Sequence, residues 1–173
     1  MLTSKKFFGG NIMRFQIREK VFSIGDKFTI KDQFGEDRYF VRGKVFSLGN
    51  KLYLEDMQGN ELIYIEQKLL RLLPEYILYK NNKPIAKVKR KISFLRPKFE
   101  IEGELGNFAI SGNYMAHEFS ILREGTTMAK VSKKWFAFSD IYGLEVYYDE
   151  LTEFLIALTI VIDQVLYDKS NRD

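Results

Sequence analysis

Between Phe15 and Tyr148 apolar and polar residues alternate in short runs that are broken by Gly, Asn and Asp, and no helical period is sustained. Twelve such runs predict strands: Arg14 to Arg18, Lys27 to Lys31, Arg38 to Lys44, Lys51 to Glu55, Glu61 to Gln67, Tyr76 to Lys80, Pro84 to Lys91, Lys98 to Gly103, Asn107 to Gly112, Glu118 to Arg123, Thr127 to Lys134 and Gly143 to Tyr148. Gly35, Gln58-Gly59, Asn81-Asn82, Gly106 and Glu124-Gly125 mark hairpin turns, because Gly and Asn tolerate the positive φ that tight turns require. Evenly spaced hairpins of this kind predict an antiparallel sandwich or barrel.

The pattern changes at Leu151 to Leu166. From Phe154 to Ile162 eight residues of nine are apolar, so a helix wound from them has no face suited to water and must be buried all round. Asp149 is placed to cap it, with Glu150 and Glu153 in the first turn where the helix dipole favours acids. The β-branched Ile156, Thr159, Ile160, Val161, Ile162 and Val165 weaken its helix propensity, but the stretch is too long for an ordinary strand. It is also shorter than the about 20 apolar residues of a membrane span, and Glu153 and Asp163 interrupt it.

An internal repeat shows how strands and helix combine. A shift of 43 residues lays Tyr76 to Ile92 onto Phe119 to Trp135 without a gap, matching Ala86-Lys87-Val88 to Ala129-Lys130-Val131 and Arg90-Lys91 to Lys133-Lys134. Hairpins that cannot each bury an apolar face must share one core. The apolar helix is the natural filler, and the prediction is a closed antiparallel barrel of about twelve strands around a central C-terminal helix.

Residues 1 to 12 combine two lysines with Gly9-Gly10 and no apolar signal region, and they read as a flexible lead to a single domain over residues 13 to 173. Cysteine is absent, which excludes disulfides and thiolate chemistry and fits a cytoplasmic protein.

Three blocks carry a family resemblance: Val41 to Tyr79, Ala129 to Val146, and Leu155 to Leu166. In this order they resemble the LURP-one-related family of the tubby C-terminal-like superfamily, over about Met13 to Tyr167. The resemblance implies a twelve-stranded barrel enclosing a C-terminal helix, as the pattern does. It implies no catalytic residue and no cofactor. Superfamily relatives include phosphoinositide-binding tubby domains and phospholipid scramblases, which makes anionic lipid headgroups candidate partners, although fold alone does not transfer an activity.

Candidate chemistry is sparse. His117 is the sole histidine, and its neighbour Glu118 projects to the opposite face of a strand, so a structural or surface role is expected. With no cysteine and one histidine, no metal site is expected. Glu100, Glu102 and Glu104 alternate onto one face, either as a cation site or as a solvated outer face opposite Phe99 and Ile101. Asp163 lies on the buried helix near its end, where Lys or Arg at the barrel mouth would meet it. Asp140 is expected to cap a turn before Gly143, and a pocket joining Asp140, Tyr142 and Asp163 would be the mark of an enzyme.

Charge is more informative. Lys83, Lys87, Lys89, Arg90, Lys91, Arg96 and Lys98 form a run without an acid, in a chain whose net charge is only +4. Two explanations fit it: a patch for anionic lipid headgroups, or a solvated strand face that discourages aggregation. On the first, Lys87, Lys89, Arg90, Lys91, Arg96 and Lys98, with Lys133 and Lys134 from the repeat, form the binding residues. Nucleic acid is disfavoured, because alternation predicts that Phe94 and Phe99 are buried instead of forming a stacking platform. The expected function is a non-enzymatic binding or scaffold domain whose partner is a protein or an anionic lipid surface at the membrane periphery.

Overall fold

The structure, a computed structural model, describes residues 12–18, 27–44, 48–94, 98–135 and 141–170, without the side chains of 167–170. Its strands are β1 (Met13–Arg18), β2 (Lys27–Asp32), β3 (Asp37–Gly43), β4 (Lys51–Asp56), β5 (Glu61–Gln67), β6 (Glu75–Lys80), β7 (Lys83–Lys91), β8 (Lys98–Gly103), β9 (Phe108–Asn113), β10 (Glu118–Arg123), β11 (Thr126–Ser132) and β12 (Ile141–Val146). Each pairs antiparallel with its chain neighbours, and β1 pairs with β12 from Met13↔Val146 to Arg18↔Ile141, which closes the barrel. The helix α1 (Thr152–Ser170) runs through it.

Alternation sorts the side chains. Ile17, Ile30, Val41, Leu54, Ile63, Ile65, Leu78, Val88, Ile101, Ile121 and Leu144 point inward and are buried against Leu155, Ile156, Leu158 and Val161 of α1 in one core. Thr159, the polar break in the apolar run, is buried with its hydroxyl donating to the Leu155 carbonyl at 2.7 Å, which satisfies it within the helix. Outside the wall, Tyr53, Tyr64 and Tyr79 form a ladder across β4, β5 and β6, with ring separations of 5.0 and 5.6 Å. Such cross-strand aromatic pairs stabilise a sheet on its solvent side.

The repeat seen in sequence is a repeat of hairpins. In β6–β7 the turn residues Asn81 and Asn82 have φ of 51° and 61°, and in β10–β11 Glu124 and Gly125 have 50° and 77°. Both turns are of the mirror-image type whose twist matches the flanking strands. Each hairpin also slips register at the equivalent place, between Leu78 and Tyr79 and between Ile121 and Leu122. The predicted turn residues Gly35, Gly59 and Gly106 likewise have positive φ.

The other strand bounds fall within one residue of expectation, and three boundaries differ by more. The strand predicted through Lys134 ends at Ser132, and Lys133–Trp135 form a 3-10 turn. The last strand, predicted over Gly143 to Tyr148, is Ile141–Val146, because Ile141 and Tyr142 extend the ladder with β1 while the chain after Val146 must leave the wall to enter the barrel. Asp149 does not cap α1. It opens the 3-10 turn Asp149–Leu151, and its carbonyl accepts from the Thr152 amide.

The closure is uneven. Between β1 and β2 only Phe15↔Asp32 and Gln16↔Lys31 pair, and between β8 and β9 only Ile101↔Phe108.

Candidate functional site

The two ends of the barrel differ. At the entry end, where α1 begins, Lys80 Nζ lies 2.8 Å from Glu153 Oε2. The hairpins β2–β3, β4–β5, β6–β7, β8–β9 and β10–β11 turn there through two to four residues. At the exit end, toward which α1 runs, the connection between β9 and β10 has four residues and the others have six to eight, reaching eight between β1 and β2 and between β11 and β12. Long connections on a rigid scaffold are where binding surfaces are usually built.

The exit end also holds the most exposed apolar side chains. Leu70, Leu72 and Phe94 are fully exposed, Leu69 and Ile92 are exposed close to them in the chain, and Leu48 and Met115 are exposed on other connections of the same end. Leu70 is held at a φ of 59°, a left-handed conformation that a bulky residue adopts at a cost. Phe94 therefore departs from the sequence expectation of a buried ring. It lies beyond the end of β7, where no strand partner imposes the alternation on which that expectation rested. The sequence signal for this rim was Leu69-Leu70-Arg71-Leu72-Leu73, an apolar cluster assigned to no strand.

Beneath the rim the barrel mouth is polar. Asn50 Nδ2 donates to Tyr76 Oη at 3.2 Å and to Gln164 Oε1 at 3.0 Å, tying the connection before β4 to the strand wall and to the last turns of α1. His117 Nε2 lies 2.7 Å from Asp163 Oδ1, and its ring stacks on that of Tyr142 at 4.6 Å. Asp163 thus finds the histidine at the barrel mouth. The expected structural role of His117 fits this contact, which places it at the mouth of the barrel, held by a left-handed backbone (φ 51°) after the 3-10 turn Tyr114–Ala116.

The basic run is rearranged by the fold. Lys87, Lys89 and Lys91 do share the outer face of β7, but acids absent from the run lie across from them on β6 and β8. Lys91 Nζ is 2.9 Å from Glu100 Oε2 and Lys89 Nζ is 3.8 Å from Glu75 Oε2, while Lys87 stands opposite Glu102. Glu100 and Glu102 are thus part of a cross-strand charge ladder, and the Lys91 hydrogen bond holds the Glu100 carboxyl below its ordinary range. Arg90 alternates to the opposite face, across from Phe99. Lys98 stands opposite Lys91, exposed at the exit end. Lys133 and Lys134 follow β11, which is separated from β7 by β8, β9 and β10, on the order of 19 Å around the wall. They share the exit end with Lys91 and Lys98, not one strand face. Arg96 and Asp140 lie outside the described residues.

Two buried donors near the mouth, Arg90 Nε and Gln164 Nε2, have no hydrogen-bond partner among the described residues. Both lack an acceptor. A ligand oxygen or a bound water is what such groups call for. Among the described residues no helix is long and apolar enough to cross a membrane, which leaves strands out of account.

Comparison with known proteins agrees with the architecture. An X-ray structure of a protein from Arabidopsis thaliana superposes with a TM-score of 0.66 at 17% identity, covering 89% of this chain and 91% of that one. The chain is 38% identical over 152 residues to "Uncharacterized protein YxjI" of Bacillus subtilis (strain 168), covering 88% of this chain and 93% of that protein. The LURP-one-related family model matches residues 13–163, and the chain belongs to the LURP-one-related family.

Proposed function

We propose that this is a non-enzymatic binding or scaffold domain that works through the exit end of its barrel. The asymmetry of the two ends carries the proposal: short turns at one, long connections tipped with exposed Leu70, Leu72 and Phe94 at the other. The interior supports it as well, because α1 fills the barrel with buried side chains where a substrate would otherwise sit.

The ligand we favour is an anionic phospholipid surface. Apolar tips at the same end of the barrel as Arg71, Lys91, Lys98 and Lys134 suit an interface where side chains enter the headgroup layer and cations remain at its level. The unpartnered donors Arg90 Nε and Gln164 Nε2 favour an oxygen-rich ligand. Sedimentation with phosphatidylcholine vesicles, with and without anionic lipid, tests this. The parent should pellet with the anionic vesicles at low salt and be released as salt rises. Leu70→Ser, Leu72→Ser and Phe94→Ser together should leave it in the supernatant. A parent that never pellets overturns the lipid ligand and leaves the exit end to a protein partner.

A further inference from the structure

The seam between β8 and β9 supports an inference independent of the exit-end proposal. A regular hairpin that pairs Ile101 with Phe108 would go on to pair Glu100 with Ala109, Phe99 with Ile110 and Lys98 with Ser111. None of these pairs forms. The strands themselves are intact, since β8 pairs with β7 over Lys98 to Gly103 and β9 pairs with β10 over Phe108 to Asn113. Toward the exit end they meet through side chains instead: the buried ring of Tyr114, just after β9, packs edge-on against Phe99 of β8 at 5.6 Å and 88°. The barrel therefore has two strand edges facing each other without a ladder, which a closed sheet would otherwise eliminate.

We propose that this seam is a strand-addition site, at which an extended segment of a partner polypeptide pairs with β9 along Ala109 to Asn113. Backbone chemistry selects the occupant, because a row of ladder amides and carbonyls is matched by another extended backbone. The β9 edge lacks two of the usual protections, charge and proline. Its sequence, Phe-Ala-Ile-Ser-Gly-Asn, contains no charge and no proline, and Ala109, Ser111, Gly112 and Asn113 are small and exposed, with Gly112 at a φ of 122°, so the Phe99–Tyr114 ring contact is what an approaching chain has to displace. The half-buried Phe99 and Ile110, with Tyr114, form an apolar floor for alternate side chains of the incoming segment. The partner is thus an extended peptide with apolar residues at every second position. The other thin seam keeps two residue pairs, Phe15↔Asp32 and Gln16↔Lys31.

The test selects peptides from a display library of random unstructured sequences against the full chain and reads backbone amide exchange in the complex. Selected peptides should alternate apolar and polar residues and slow exchange along β9 by about tenfold or more, as when an open amide joins a ladder. The chain has no cysteine, so Glu100→Cys with Ala109→Cys gives a seam that oxidation locks and reduction reopens. The reduced form should bind and the oxidised form should not. Peptides that leave the β9 amides unchanged, equal binding by both forms, or no selection above background each overturn the proposal. If oxidation unfolds the variant, Ala109→Lys with Ser111→Lys charges the same edge, and undiminished binding then overturns it. Concentration-dependent self-association that protects these amides without peptide also overturns it, by making the edge an interface between copies.

Discussion

His117 Nε2 and Asp163 Oδ1, 46 residues apart in sequence and 2.7 Å apart in space, fasten the turn between β9 and β10 to the last turns of the central helix. Both side chains are largely buried, so each depends on the other for part of its polar satisfaction. His117→Ala removes the imidazole from the Asp163 carboxylate and should destabilise the domain by about 1.5 to 3 kcal/mol. Asp163→Asn keeps a hydrogen-bonding group of the same shape and should cost less. Chemical denaturation of both single variants and the double variant gives their coupling, and additive effects would mean that the contact contributes nothing.

The helix should be indispensable. About eight large apolar side chains at roughly 1.5 to 3 kcal/mol each exceed the net stability of an ordinary domain, so a chain ending at Glu150 should show no cooperative melting. Ala157 is fully buried among larger residues, and Ala157→Leu should overpack the core by about 1 to 3 kcal/mol. A melting temperature equal to the parent's would mean that spare volume surrounds it.

Reversing Lys87, Lys89 and Lys91 to Glu tests the charge ladder. Sequence alternation alone makes these exposed charges neutral to stability. Their positions against Glu75, Glu100 and Glu102 instead predict a loss of stability, read as a lower melting temperature. Lys87→Gln, Lys89→Gln and Lys91→Gln together should lose less than the reversal, and equal melting of the two variants would remove the ladder as a cause.

Acid should weaken the wall at Glu145 and Glu66. Burial of Glu145 pulls its carboxyl upward, but the hydrogen bonds from the Tyr147 hydroxyl at 2.6 Å and Arg14 Nε at 2.7 Å outweigh it and hold the carboxyl below its ordinary range. At Glu66 the hydrogen bond from Lys68 at 2.6 Å lowers the carboxyl in the same sense. A depressed folded-state value means stability that is present above the unfolded value of 4.5 and is lost as pH falls below it. Thermal melts between about pH 6 and about pH 3 should therefore fall less steeply for Glu145→Gln with Glu66→Gln than for the parent. Parallel curves would show that other carboxylates set the acid limit.

The wall and its filling were legible in the local pattern of residues. Period-two alternation marks which residues of each strand face inward, paired Asn and Gly mark turns that need positive φ, and an all-apolar stretch near the C-terminus has nowhere to lie except inside. The repeat of β6–β7 in β10–β11 was legible down to the turn residues, because a mirror-image turn leaves a chemical trace at Asn81-Asn82 and Glu124-Gly125. These are local rules, and each acts within a few residues. Only the tertiary structure decided what meets across the barrel. Lys91 finds Glu100 because β8 returns beside β7, His117 finds Asp163 because the helix ends under the turn after β9, and Phe94 is exposed because the ladder that would bury it has ended. The open β8–β9 seam belongs to the same class, since both strands alternate regularly in sequence. Pairing, charge compensation and exposure depend on distances between residues far apart in the chain, which neither alternation nor composition encodes.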